Sequence, residues 1–300
     1  MDLFCEYADI IPDFPLFQAS LRKPLPVHLR FNSLKIDPDA LLFLLEEEGV
    51  QLEQSLPWTD TLFLARNLDS PGNLLEYFLG YIHPQALTSC LPPLVLDPAP
   101  GSFVLDMCAS PGGKTSQLAQ LMENSGIIIA NELFWTRHVP LAHTLARLGV
   151  LNAVITAYQA QEFPLRNRFD YVLADVPCSG EGRFRSTGRE VFHRLGKKEK
   201  KLPEVQKRIL LRGFDLLRPG GEMVYSTCTY NPEENEAVVD FLLKNRDAAL
   251  LPIHLDLPGE PGIEEWKGKR YEKDVRYAVR LYPHRVDSVG FFMARIGRKA

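Results

Sequence analysis

The chain has 300 residues, 45% of them hydrophobic and 24% charged, with a formal net charge of −4. That composition excludes a disordered chain, a collagen-like repeat and a disulfide scaffold, and the length suits one large domain or one large and one small. The charge is segregated: Arg183 to Arg208 holds ten Lys/Arg against three acids, a net +7, Lys267 to Lys299 holds the same numbers, and the rest carries −18. Two basic blocks on an acidic body admit a polyanion-binding face or a solvated loop and tail.

Residues 1–22 mix apolar and acidic residues at helical spacing. Val27-His28-Leu29-Arg30-Phe31 alternates as a strand does. Asp37-Pro38 opens a helix, with Asp as cap, Pro in the first turn and Gly49 past the end. Thr61-Leu62-Phe63-Leu64 reads as a short strand. Residues 1–80 are expected to form a small α/β accessory domain, and 81–300 the catalytic one.

Leu91-Pro92-Pro93-Leu94 through Pro98-Ala99-Pro100-Gly101 is a proline-rich approach to a new unit. Apolar strands then alternate with helices: strands at 103–107, 127–130, 153–156, 169–174, 222–226 and 290–296, helices at 114–122, 135–148, 205–217 and 234–245. Arg218-Pro219-Gly220-Gly221 ends one helix as a turn. The order predicts an α/β fold with a doubly wound, mainly parallel sheet.

The five cysteines, Cys5, Cys90, Cys108, Cys178 and Cys228, are odd in number and widely spaced, without a C-x-x-C. No disulfide framework and no metal are expected, and a reduced, cytoplasmic compartment fits. Asp2, Glu6 and Asp9 do not suit a signal peptide, and no stretch approaches the roughly 20 apolar residues of a membrane span.

Four motifs carry chemistry. Val104 to Thr115 runs from a strand through Cys108-Ala109-Ser110-Pro111-Gly112-Gly113 into a helix starting at Lys114. Its glycines admit close backbone approach, and the helix start offers free N–H groups to a cofactor. A phosphate-binding loop would need Gly at 108, where this chain has Cys, so a nucleotide hydrolase is disfavoured. Glu132 follows the second strand, where an acid accepts from ribose hydroxyls. Asp175-Val176-Pro177-Cys178-Ser179-Gly180-Glu181-Gly182 follows another strand, and Ser226-Thr227-Cys228-Thr229 leads to Glu234-Asn235-Glu236. Two thiols thus emerge at the sheet edge that carries the glycine turn.

With Tyr81-Ile82-His83-Pro84-Gln85 before them and Gly290-Phe291-Phe292 after, these motifs resemble the Sun/Fmu family of RNA cytosine-5 methyltransferases. The resemblance implies a Rossmann-like methyltransferase sheet, S-adenosylmethionine as cofactor and a monomer acting on RNA, ribosomal slightly favoured over transfer RNA. It implies Cys228 as the nucleophile that adds to carbon 6 of cytosine, Cys178 as the thiol assisting release, and Asp175 on the ring nitrogen 3 or amino edge. Cys108, Ala109, Ser110, Pro111, Gly112, Gly113 and Lys114 would surround the methionine part, with Glu132 on the ribose and Arg137 nearby. Gln159 stands where the family has an Asp near the adenine amine, and its carbonyl can still accept. Asp175 would also border the cofactor. The loop Arg183-Phe184-Arg185, with Arg189 beyond it, offers cations and an aromatic for RNA. The alternative is a catalytically idle RNA-binding or ribosome-assembly factor on the same fold.

Overall fold

The computed structural model describes residues 3–166, 168–187 and 201–299. The helical spacing near the amino terminus yields one short helix, α1 (Phe14–Ser20), after a 3-10 turn at Cys5–Tyr7. This segment does not join the small sheet that follows. Phe4, Tyr7, Ile11, Phe17 and Leu21 are buried instead with Tyr230, Trp266 and Tyr282 of the larger unit.

The alternating run forms strand β1 (Val27–Phe31). Helix α2 (Pro38–Glu47) is capped as expected, the Asp37 carboxylate accepting from the Asp39 and Ala40 amides at 3.1 and 3.2 Å. With β2 (Leu52–Gln54), β3 (Leu62–Ala65) and β4 (Ile82–Pro84), β1 builds an antiparallel sheet of order β2-β3-β1-β4. Alternation decides the faces. Leu29 and Phe31 pack with Leu41 and Leu45 of α2. Arg30 points the other way, toward the second sheet. The small unit therefore spans β1 to β4 and reaches past residue 80, while residues 3–21 pack on the large one.

A short helix α3 (Leu75–Leu79) precedes α4 (Leu87–Leu96), which lies where the prolines suggested an irregular approach. Pro92 and Pro93 remove two N–H donors from it. Gln85 Nε2 serves the orphaned Ser89 carbonyl at 3.0 Å. Burial of Leu87, Cys90 and Leu91 then stabilises the helix against the sheet.

The large sheet follows the predicted alternation: β5 (Phe103–Asp106), α5 (Gly113–Leu121), β6 (Ile127–Asn131), α6 (Trp135–Arg147), β7 (Ala153–Thr156) and β8 (Phe169–Asp175). After α7 (Phe184–Thr187) come α8 (Leu202–Leu216), β9 (Leu217–Thr227) and α9 (Glu236–Asn245). The expected turn at 218–221 is a bulge inside β9: Leu217 pairs with Phe169 and Glu222 already with Tyr171. Strands β10 (Ala248–Leu251), β11 (Glu260–Pro261), β14 (Val279–Leu281) and β15 (Phe291–Arg298) extend the sheet, and β12 (Glu265–Trp266) and β13 (Lys269–Arg270) form a separate hairpin. Only β15 among these was legible beforehand. The order is β11-β14-β15-β9-β8-β5-β6-β7, with β10 on β15. The five strands from β7 to β9 are mutually parallel, and the later ones run antiparallel. The fold is a Rossmann-like α/β sheet, and the chain's path reverses at β5, flanked by β6 on one side and β8 on the other.

Arg30 joins the two sheets. It is 1% exposed and donates to Gln120 Oε1 at 2.7 Å and Ser116 Oγ at 2.6 Å, both on α5. Among the described residues, no helix is long and apolar enough to cross a membrane, and no cluster of His, Cys, Asp or Glu is placed to hold a metal ion.

Candidate active site

Strands β5, β6, β8 and β9 end at one edge, and each delivers one motif. At the end of β5, buried Asp106 accepts from Thr115 Oγ1 at 2.7 Å and from the Cys108 amide at 3.3 Å. Burial pushes its carboxyl up to about 6. These bonds fold Cys108, Ala109, Ser110 and Pro111 over the strand end. Gly112 sits at φ +103°, where a side chain would be strained, and a Cβ on Gly113 would meet His83 Nε2 at 3.0 Å.

At the end of β6, Glu132 is 3% exposed. Its carboxylate accepts from the Phe134 amide at 2.9 Å and pairs with Arg137 at 3.1 Å. Arg137 also donates to the Ser110 carbonyl at 2.8 Å, so one guanidinium ties the acid to the glycine turn. Gln159 lies exposed before the 3-10 turn Ala160–Glu162, and its Oε1 accepts from Gln161 at 2.8 Å. A second lone pair remains for an adenine amine. A small-residue cradle beside a strand-end carboxylate fits the methionine and ribose parts of S-adenosylmethionine.

The thiols of Cys178 and Cys228 lie 3.3 Å apart, and the Cys228 amide donates to Cys178 Sγ at 3.3 Å. The hydrogen bond with Cys178 lowers the pKa of Cys228; burial and Asp175 oppose this, while Arg183 and Lys114 assist it. Its bond to Cys228 and burial hold the Cys178 thiol well above its ordinary range.

Asp175, at the end of β8, accepts from Ser226 Oγ at 2.8 Å through one oxygen and from Lys114 Nζ at 2.7 Å through the other. Lys114 also donates to Ser89 Oγ at 2.9 Å and lies 5.5 Å from the centre of the Phe291 ring. Burial opposes its charge, but the adjacent Asp175 outweighs that and raises its pKa. Lys114, expected in the glycine cradle, thus faces the Asp175 carboxylate from the first turn of α5. An amine engaged there is not placed as the phosphate-binding lysine of a hydrolase. Ser226 was missed, although the strand period puts it on the same side as Cys228. Ser89 was missed because it lies between the Tyr81–Gln85 motif and the proline-rich segment, in neither pattern.

A second tier holds both thiol loops. Glu234 accepts from the Ser179 amide and from Gln206 Nε2, each at 2.9 Å, and Gln206 also donates to the Pro177 carbonyl at 2.9 Å. Asn235 accepts from Thr227 Oγ1 at 2.6 Å and donates to the Thr229 carbonyl at 3.0 Å. The Gly182 amide donates to the Cys228 carbonyl at 2.9 Å, and a Cβ on Gly182 would meet the Gly290 carbonyl at 2.2 Å. That close approach accounts for Gly182, and a Cβ on Gly290 would meet the Tyr230 ring at 2.2 Å.

The basic residues divide. Arg183 is exposed beside the thiol loop. Arg185 does not fit its expected RNA contact: its side chain is 1% exposed and donates to Asp287 at 2.9 Å and the Pro24 carbonyl at 2.7 Å. Arg189 and residues 188–200 of the first block lie outside the described residues. The second block is largely neutralised. Arg280 pairs with Glu236, Arg285 with Asp13 and Glu260, Arg295 with Glu222, and Lys299 with Asp247.

Fold and site together define an S-adenosylmethionine-dependent methyltransferase. Residues 93–297 match the family described as 16S rRNA methyltransferase RsmB/F, and the chain belongs to that family. It is 41% identical to the tRNA (cytosine(49)-C(5))-methyltransferase of Pyrococcus abyssi, over 95% of this chain and 92% of the relative. It is 37% identical to the human 28S rRNA (cytosine(4447)-C(5))-methyltransferase, over 94% of this chain but 36% of that longer protein. A crystal structure of a methyltransferase homologue from Pyrococcus horikoshii superposes with a TM-score of 0.84 at 37% identity, covering 96% of this chain and 91% of the other.

Proposed function

We propose that this protein transfers a methyl group from S-adenosylmethionine to carbon 5 of a cytosine in RNA, through a covalent adduct with Cys228. The observation that carries the reading is the thiol pair, 3.3 Å apart, beside the Lys114–Asp175 pair. Carbon 5 of cytosine is a poor nucleophile. The Cys228 thiolate adds to carbon 6, forming the Sγ–C6 bond and making carbon 5 electron-rich. Asp175, oriented by Lys114 and Ser226, hydrogen-bonds the cytosine edge as charge builds there. Bound S-adenosylmethionine supplies the electrophilic methyl group. Carbon 5 takes it, the demethylated cofactor leaving as a thioether, and then gives its proton to water as the Sγ–C6 bond breaks and its electron pair returns to Cys228, with help from Cys178. Ala109 to Gly113, Glu132 and Arg137 hold the cofactor, and Gln159 borders its adenine.

An idle RNA-binding factor would have no use for this intact arrangement, which supports catalysis. The small sheet, latched to α5 by Arg30, is proposed to select the RNA. The sequence leaned toward ribosomal RNA, but the archaeal relative matched over nearly its whole length carries a transfer-RNA name, which supports transfer RNA as the first substrate to test. Incubation with labelled cofactor and separated transfer and ribosomal RNA decides. Label in 5-methylcytosine is expected, and none in either RNA overturns the reading.

A further inference from the structure

The amino-terminal turn reaches the back of the thiol pair. Tyr7, 4% exposed, donates its hydroxyl to Glu181 Oε1 at 2.9 Å, across 174 residues of sequence. The other oxygen of Glu181 accepts from Thr229 Oγ1 at 2.8 Å and from the Tyr230 amide at 3.1 Å. Thr229 directly follows Cys228, and its hydroxyl lies 2.6 Å from that of Ser179, which directly follows Cys178. With Thr229 donating to Glu181, the Ser179 hydroxyl donates to Thr229. One chain of hydrogen bonds, Ser179 to Thr229 to Glu181 with Tyr7 behind, therefore spans the residues after both thiols. The next residue, Gly182, grips the Cys228 carbonyl.

We propose that Tyr7 is a positioning residue for the catalytic thiols, acting through Glu181 to set the distance between Cys178 and Cys228. The inference rests on the assigned roles of those thiols. Packing alone would need an aromatic at position 7: the ring already sits among Phe4, Tyr230 and Trp266. The hydroxyl is the added feature, and its partner is a carboxylate whose other ligands flank the nucleophile. Glu181 is 8% exposed, so losing its donor leaves a buried acceptor oxygen unsatisfied. The charged and titratable groups facing the cluster are Glu6 from the amino-terminal turn, Glu234 from the segment before α9, and Tyr230 with Arg185 near it.

The test uses Tyr7→Phe, which keeps the ring. The first readout is the pH dependence of iodoacetamide alkylation at Cys228, located by mass spectrometry. It needs neither RNA nor cofactor and stands even if the substrate assignment fails. Loosening the pair removes the Cys178 donor from Cys228, so the alkylation curve moves to higher pH. With RNA, kcat falls about tenfold and KM stays constant. Glu181→Gln shows the same direction, and Tyr7→Phe/Glu181→Gln is no worse than Glu181→Gln alone. Phe17→Leu, a lesion of the same amino-terminal packing, lowers Tm without moving the curve. An unmoved curve in Tyr7→Phe, additive losses in the double variant, or the same shift in Phe17→Leu overturns the proposal.

Discussion

Cys178 and Cys228 approach sulfur to sulfur at 3.3 Å, although 50 residues separate them, and the backbone of one donates to the sulfur of the other. The proposed mechanism gives the two thiols different tasks, addition for Cys228 and release for Cys178. Cys228→Ala is therefore expected to abolish methyl transfer and to form no RNA adduct. Cys178→Ala is expected to form the adduct and release it slowly. Denaturing electrophoresis with labelled RNA reads both, and a trapped adduct in Cys228→Ala instead would exchange the roles.

Lys114 lies 2.7 Å from Asp175 and 2.9 Å from Ser89, with a side chain only 14% exposed. Removing the amine leaves the Asp175 carboxylate held through Ser226 Oγ alone and without its counter-charge. Lys114→Met is expected to lower kcat about a hundredfold, in the range of losing one fixed electrostatic contact to the reacting group. Asp175→Asn is expected to cost at least as much. The double variant is expected to match Asp175→Asn, because both act on one charge. Cofactor affinity by calorimetry should change little in Lys114→Met; a large loss would return this lysine to the cofactor cradle.

Asp106 gives a stability test with a definite sign. Its folded carboxyl is raised from 3.8 to about 6 by burial. The protonated form is thus favoured by folding, and its contribution is complete below about pH 3.8 and disappears as pH rises through 6. The two pKa values bound the effect at roughly 3 kcal/mol. Asp106→Asn removes the charge and keeps the shape. Its stability relative to wild type is expected to rise between pH 4 and 6.5, measured by denaturant unfolding across that range.

Strand β6 was legible because three consecutive isoleucines precede a polar strand end, and the thiol motifs because small residues and acids follow apolar runs directly. The interior of α4 was not, since Pro92 and Pro93 break a helical pattern that Gln85 and buried neighbours repair from outside it. The antiparallel extension was not either: β11 is two residues long and β14 three. Strands that short carry no period. Arg185 looked like an RNA ligand because sequence shows its charge but not Asp287, 102 residues on. Tyr7 and Glu181 escaped for the same reason. Local pattern locates elements, and pairings across the chain decide which charges face the substrate.

Arg280 and Glu236 are 2% and 0% exposed as side chains and form a two-pronged pair. Arg280 also donates to the Tyr230 carbonyl at 3.0 Å, two residues past Cys228. Arg280→Met strands a buried carboxylate and is expected to destabilise the protein by about 3–5 kcal/mol. Arg280→Met/Glu236→Leu is expected to recover part of that loss. Urea unfolding measures both, and a single variant costing no more than a surface pair would show that the charge is solvated.

The basic blocks separate by the same reasoning. Arg183 is exposed and follows the Cys178 loop directly, which makes it the described residue of the first block to test for RNA contact. Lys299 is exposed too, but Asp247 neutralises it on the opposite margin of the sheet, where β10 meets the end of β15. Phosphate contacts release counterions, so the logarithm of affinity falls with the logarithm of salt by about 0.7 to 0.9 per contact. Arg183→Glu is expected to weaken RNA binding and to flatten that slope by about one contact, with Tm nearly unchanged. Lys299→Glu is expected to leave both affinity and slope as they were. Arg185→Glu is expected to lower Tm, because it sets a carboxylate against Asp287 and the Pro24 carbonyl. Fluorescence titrations of each variant at several salt concentrations, with thermal melts alongside, measure these differences. Equal slopes for Arg183→Glu and Lys299→Glu would remove Arg183 from the RNA path.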